Sequence, residues 1–263
     1  MTRPANSQRL IALILAGGSF FALTAPAVHA DEPAAPAGLV PAAVAPVSPP
    51  PGLARLNIAP LRLELDASKP TATLILTNTS ERAVPVQTRL FAWSQDGGED
   101  RFAPSSALTI SPSIISIPPG ATQIVRLLRT GAASPGEKRF RLAVDQLPDP
   151  TMAQSGAAEA RLRFTIPVFF DRNTATPAQL GWKVGPQNIE VSNTGGSTAR
   201  IIAIEVKTAA GKLVPVERNS LRYVQGSSAI AWPLANACAL GPVTITAQVD
   251  GLTANAQASP TCG

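Results

Sequence analysis

From Leu53 onward, apolar and polar side chains alternate in short runs rich in β-branched residues, and Gly, Pro, Asn or Asp punctuates them about every ten residues. That rhythm predicts strands; no long segment repeats its apolar positions at the helical interval. Strands are predicted over residues 57–65, 71–77, 84–93, 108–117, 122–129, 138–146 and 158–170. The turns between them contain Asn78-Thr79-Ser80, Gly97-Gly98, Pro118-Pro119-Gly120 and Pro135-Gly136. Seven strands over about 115 residues predict an immunoglobulin-like sandwich. After Phe170 the pattern breaks at Asp171-Arg172-Asn173 and Pro177, and shorter strands follow at 180–184, 189–192, 199–207, 221–224, 229–232 and 243–249. The expected fold class is all-β, with two immunoglobulin-like β-sandwich domains at 53–172 and 173–263.

The residues before Leu53 do not share this pattern. Arg3 and Arg9 precede an uncharged, mainly apolar run at 10–23, and Val28-His29-Ala30 offers small residues at cleavage positions. This is the layout of a secretory signal over residues 1–30; the run is short for a membrane span, and an uncleaved anchor is the other reading. Residues 31–52 are Ala/Pro-rich, with prolines at 33, 36, 41, 46, 49, 50 and 51. Such a segment buries too little apolar surface to repay ordering, so a disordered tail is expected.

Composition removes several classes of function. The formal charge of +5 falls to +3 without residues 1–30, which hold two of the 22 basic residues and none of the 17 acidic ones. The excess is small and unclustered, which argues against nucleic acid as a partner. The single histidine, His29, lies inside the expected signal, so the mature chain has none. Imidazole-dependent triads and the common zinc sites are thereby excluded, and no metal or other cofactor is expected. Cys238 and Cys262 are the only cysteines; in an exported chain a structural disulfide is expected, whereas a metal or redox pair fits poorly with their wide spacing.

The segment 159–170, EARLRFTIPVFF, places Ala160, Leu162, Phe164, Ile166 and Val168 on one face and Arg161, Arg163, Thr165 and Pro167 on the other. Pro167 cannot donate to a ladder, so this strand is expected at a sheet edge. An apolar edge either fills its own domain's core or lends itself to a partner strand by β-augmentation. Periodicity reports burial and leaves both readings open.

Across most of 56–171 the sequence resembles the PapD-like family of periplasmic pilus and fimbrial chaperones. The resemblance rests on IAPLRLELDASKPTATLILTN with Arg62 and Asn78, on Phe91-Ala92-Trp93, on IPPGATQIVRL, and on RFRLAVDQLP followed by the edge strand. The Ile166-Pro167-Val168-Phe169 run is most similar to the divergent archaic, spore-coat-U-type branch. The resemblance implies a non-enzymatic periplasmic protein with its two sandwiches in a boomerang arrangement. Its partners would be pilin or fimbrial subunits, whose fold it completes by donor-strand complementation, and an outer-membrane usher. No stable membrane insertion is expected once the signal is cleaved.

The same resemblance assigns roles to residues. Ala160, Leu162, Phe164 and Ile166 would be the donated side chains, contributing roughly 4–10 kcal/mol gross if buried in a partner, less the costs of association. Arg62 would hold the subunit's terminal carboxylate. The second basic position of that anchor corresponds to Pro167, so Arg163 or Arg161 on the same strand face is the expected substitute. Glu137 and Arg172 would join the two domains. A secreted surface or pilus subunit of the same architecture is the alternative function, but the proline-rich tail would make a poor polymerising strand.

Overall fold

The computed structural model of the chain describes residues 55–148 and 161–262. The expected signal, tail and Ala160 lie outside the described residues. Residues 49–263 form one compact unit, and among its described residues the extended elements are strands, with two single-turn 3-10 helices at Arg172–Thr174 and Ala237–Ala239. No helix among the described residues is long and apolar enough to cross a membrane.

Ten strands build the first sandwich: β1 (Leu56–Ala59), β2 (Leu63–Leu65), β3 (Thr71–Asn78), β4 (Val84–Asp96), β5 (Glu99–Pro104), β6 (Leu108–Ser111), β7 (Ile114–Ile117), β8 (Thr122–Arg129), β9 (Lys138–Gln146) and β10 (Arg163–Phe170). One sheet runs β1-β3-β8-β6; the other runs β2-β10-β9-β4-β5, with β7 also on β4. Alternation decides which residues meet: Leu74 and Leu76 of β3, Val125 and Leu127 of β8, and Leu142 and Val144 of β9 point into one shared core.

Two expected strands are divided, each at a proline. Residues 57–65 become β1, which pairs antiparallel with β3, and β2, which crosses to the other sheet and pairs parallel with β10. Pro60 lies at the crossing, where a missing N–H costs no ladder bond, and Leu61 beside it is 72% exposed. Residues 108–117 likewise become β6 and β7 around Pro112. The polar sequence of β5 does not predict a strand. It is folded back on β4 by Gly97-Gly98, both at positive φ, and every residue in it is exposed.

The second sandwich contains β11 (Leu180–Val184), β12 (Asn188–Asn193), β13 (Ala199–Thr208), β14 (Leu213–Val214), β15 (Arg222–Val224), β16 (Ser228–Pro233), β17 (Val243–Val249) and β18 (Leu252–Ala258). Its sheets are β11-β12-β16 and β14-β13-β17-β18, with β15 on β13. Ile189, Val191, Ile201, Val206, Ile230, Trp232 and Ile245 fill its core.

Cys238 and Cys262 are bonded, with Cα atoms 5.9 Å apart across 24 residues of chain. Beside the bond, the Thr261 amide donates to the Val184 carbonyl at 2.8 Å, which ties the C-terminal segment to β11. Closing a loop of this length stabilises by about 3 kcal/mol in the chain-entropy account. Cys238→Ser is therefore expected to lower the urea midpoint, and reductant to do the same to the wild type; an unmoved midpoint in both would contradict a stabilising role.

Candidate binding face

β10 is an edge strand over only part of its length. β9 pairs with it from Arg163 to Phe170, whereas β2 covers its other side only at Val168–Phe170. Among the described residues, 163–167 thus keep one row of main-chain groups open. Leu162, half-buried, extends the ladder by accepting the Gln146 amide at 2.9 Å.

The apolar row divides along the strand. Ile166 is 2% exposed and belongs to the first sandwich's own core, and Phe164 packs against that core. The expectation that Ile166 faces a partner is corrected by this burial, because the inward alternation of β10 is already needed opposite Leu142. Leu162 remains half-buried, and Ala160 lies outside the described residues.

The opposite face of this sheet meets the second sandwich. Glu137, just before β9, is central: its carboxylate, 0% exposed, accepts from Arg139 Nε at 2.9 Å, from Arg172 Nη1, and from the Thr198 amide at 3.0 Å and the Thr198 hydroxyl. Arg139 Nη2 reaches on to the Gly196 carbonyl at 2.9 Å. A second contact joins the β4–β5 hairpin to β15. Gln95 Nε2 donates to the Tyr223 carbonyl at 2.7 Å, the Gln225 amide donates to Gln95 Oε1 at 2.9 Å, and Arg222 Nη2 donates to the Gly98 carbonyl at 2.9 Å.

Arg62 lies between β1 and β2. Its guanidinium stacks on the Phe169 ring, 4.9 Å from the centroid, and pairs with Glu64 and, at 3.6 Å, with Asp250 of the second sandwich. Arg163 is elsewhere: 63% exposed, it bonds Asp145. Arg89 donates to the same carboxylate from Nη2 at 2.6 Å and from Nε at 3.1 Å. Burial works against the charge on Asp145, and the two arginines overcome it, holding the carboxyl below its usual range.

Arg163 and Arg62 do not form one carboxylate clamp. Arg163 is six residues along β10 from Phe169, where Arg62 sits, a separation of about 20 Å at strand rise. Arg161 is exposed and farther still along the chain. A different arginine occupies the vicinity of Pro167. Arg141 is its register partner on β9, and its guanidinium lies 3.8 Å from the Trp93 ring centroid and 4.7 Å from that of Tyr223. The sequence does not single out Arg141 within RFRLAVDQLP, although the two-residue spacing of Arg139 and Arg141 beside buried Phe140 and Leu142 marks both as facing away from the core.

Among the described residues no group of three or more His, Cys, Asp or Glu side chains gathers as a metal site.

Residues 55–174 match the family model described as "Pili and flagellar-assembly chaperone, PapD N-terminal domain". No curated protein sequence matches the chain. Among solved structures, the fold is similar to the CsuC-CsuE chaperone-tip adhesion subunit pre-assembly complex from archaic Csu pili of Acinetobacter baumannii. The identity there is 20%, over 79% of this chain and 100% of that one, with a TM-score of 0.61. It is also similar to the CupB2 chaperone of Pseudomonas aeruginosa, at 18% identity over 78% and 100% of the two chains and a TM-score of 0.54. A third likeness is to the Salmonella enterica SafA pilin in complex with the SafB chaperone, at 16% identity over 78% and 96% and a TM-score of 0.56.

Proposed function

We propose that this protein, whose residues 55–174 match the family model of pili and flagellar-assembly chaperones, PapD N-terminal domain, is a periplasmic chaperone that binds pilus subunits by donating a strand and delivers them to an outer-membrane usher. Chaperones of this family are not enzymes. The observation that carries the reading is the open edge of β10 over residues 163–167, with Leu162 immediately before it. A subunit lacking one strand takes up those main-chain groups, and apolar side chains preceding Phe164 enter its core. The fold's likeness to chaperones in complex with a pilin or tip subunit supports the same partner class. Export follows from the expected signal at 1–30.

The direct test is co-purification from a periplasmic extract, with mass spectrometry of what stays bound. The wild type is expected to retain a small pilin-like protein, and Leu162→Asp to lose it while keeping its own melting temperature. Phe164→Asp is unsuited to this test, because that side chain packs against the chain's own core. A wild type recovered alone, or as a polymer of itself, would favour the surface-subunit alternative.

A further inference from the structure

The second sandwich guards its sheet borders by several devices and leaves one border without any. At β16, Arg222 donates from Nη1 to the Ala231 carbonyl at 2.6 Å and from Nη2 to Gly98 of the β4–β5 hairpin, and the strand ends in Pro233. β11 carries Lys183 and accepts the Thr261 amide at Val184. β14 is only two residues long. Charge, proline, cover and shortness are the usual protections of an edge. β18 has none of them: it is the seven-residue LTANAQA, paired with β17 along its whole length and, among the described residues, with no strand on its other side. Only past its end does the chain turn to β11, where Pro260 bridges Val184, so the bare stretch is the earlier part of the strand.

The chemistry of this border selects what can cover it. A charged strand would give up hydration to lie along it and find no opposite charge, whereas a neutral strand loses little. β18 is itself such a strand, and it is complementary to itself under a two-fold axis. The tight turn at Asp250-Gly251, both at positive φ, leaves Leu252 at the start of the strand 76% exposed. Antiparallel pairing about Ala254 sets Leu252 of each copy opposite Ala256 of the other, a small residue half-buried against the second core. The same register sets Thr253 opposite Asn255 on the outer face. Gln248 donates to the Thr253 hydroxyl and Thr246 to Asn255 Oδ1, each at 2.9 Å, which leaves Asn255 Nδ2 to donate across the pair. The far border of this sheet is β14, too short to extend it, so pairing closes at two copies.

We infer that β18 is a self-association edge, through which two copies of this chain pair antiparallel over Leu252–Ala256. Five residues at strand rise span about 17 Å. A border of that length buries less than the about 800 Å² per partner of a standard interface, so the dimer is a weak one, with a Kd in the micromolar range. β18 and β10 lie in different sheets, so the pairing leaves residues 163–167 of both copies unused.

Sedimentation equilibrium of the full mature chain, from about 1 to 100 µM, tests the inference. The wild type is expected to pass from monomer to dimer across that range. Thr253→Lys with Asn255→Lys, and separately Thr253→Glu with Asn255→Glu, set like charges against each other, and each is expected to raise Kd by about ten-fold or more. Mixed one to one, the two variants face opposite charges and are expected to regain a dimer at least as tight as that of the wild type. Both positions are exposed, so each variant should keep the wild-type melting temperature. A wild type still monomeric at the top of the range overturns the inference. So does a dimer that survives in both charge variants, which would belong to another edge such as β10, and so does a mixture that stays monomeric.

Discussion

Glu137→Ala is expected to cost about 3–5 kcal/mol and to split a single thermal transition into two. The magnitude follows from what the substitution strands: two guanidinium groups, Arg139 and Arg172, and the Thr198 amide and hydroxyl, all around a carboxylate with no solvent exposure. Removing one member of a buried, hydrogen-bonded charge cluster leaves the others uncompensated, which costs far more than the net worth of the pair. The splitting follows from position, because Glu137 stands at the start of β9 whereas Thr198 stands just before β13. Glu137→Gln keeps the shape and one acceptor, so its loss should be smaller. Calorimetry distinguishes the cases, and a single transition in Glu137→Ala within about 1 kcal/mol of the wild type would mean that the two sandwiches are held by other contacts.

The second large effect concerns acid. Asp171 and Arg129 form a bidentate pair, with both Nη atoms 2.7 Å from the two carboxylate oxygens and the side chains only 5% and 2% exposed for arginine and aspartate. Those bonds hold the Asp171 carboxyl below its usual range; burial opposes them, and the Ser134 amide assists them. A depressed native value means that the pair's stabilisation is complete above the unfolded-state value, about 3.9, and disappears as pH falls through the native one. Asp171→Asn is a clean probe because Asp171 has φ of 53°, a left-handed conformation that asparagine tolerates. At neutral pH the variant is expected to be less stable by about 2–3 kcal/mol. Below about pH 4 the difference should shrink, as the wild type protonates the same group. Urea titrations across this range test it, and a difference independent of pH would remove the ion pair from the account. Arg129→Ala should be worse than Asp171→Asn, since it leaves the carboxylate buried with its charge.

The strands legible in the sequence are those whose inward faces are large. β3, β8 and β9 alternate Leu, Val and Ile with polar residues, and their expected bounds nearly coincide with the observed ones. β5 and β18 carry no such signal, because EDRFAP and LTANAQA have little to bury; they are strands because β4 and β17 offer them ladders. The divisions at Pro60 and Pro112 are marked by the prolines themselves, which interrupt a ladder, but only the sheet order reveals that β2 changes sheets. The site is legible to the same degree. Arg62 and Glu137 come from their places in a family pattern, and Pro167 marks the edge. Arg141 requires register, because its partner across the ladder, Pro167, is 26 residues away in sequence.

One sheet of the first sandwich has two very different borders. β5 shows solvent Glu99, Asp100 and Arg101 and ends in Pro104, features that repel or interrupt another strand, whereas among the described residues nothing pairs with the outer side of β10 at 163–167. Such a sheet has a valence of one. If two copies met through it they would satisfy each other and stop at a pair, since a filament needs a second receptive border to grow from. Through this sheet, then, the molecule takes up one strand and offers the next copy nothing to add to.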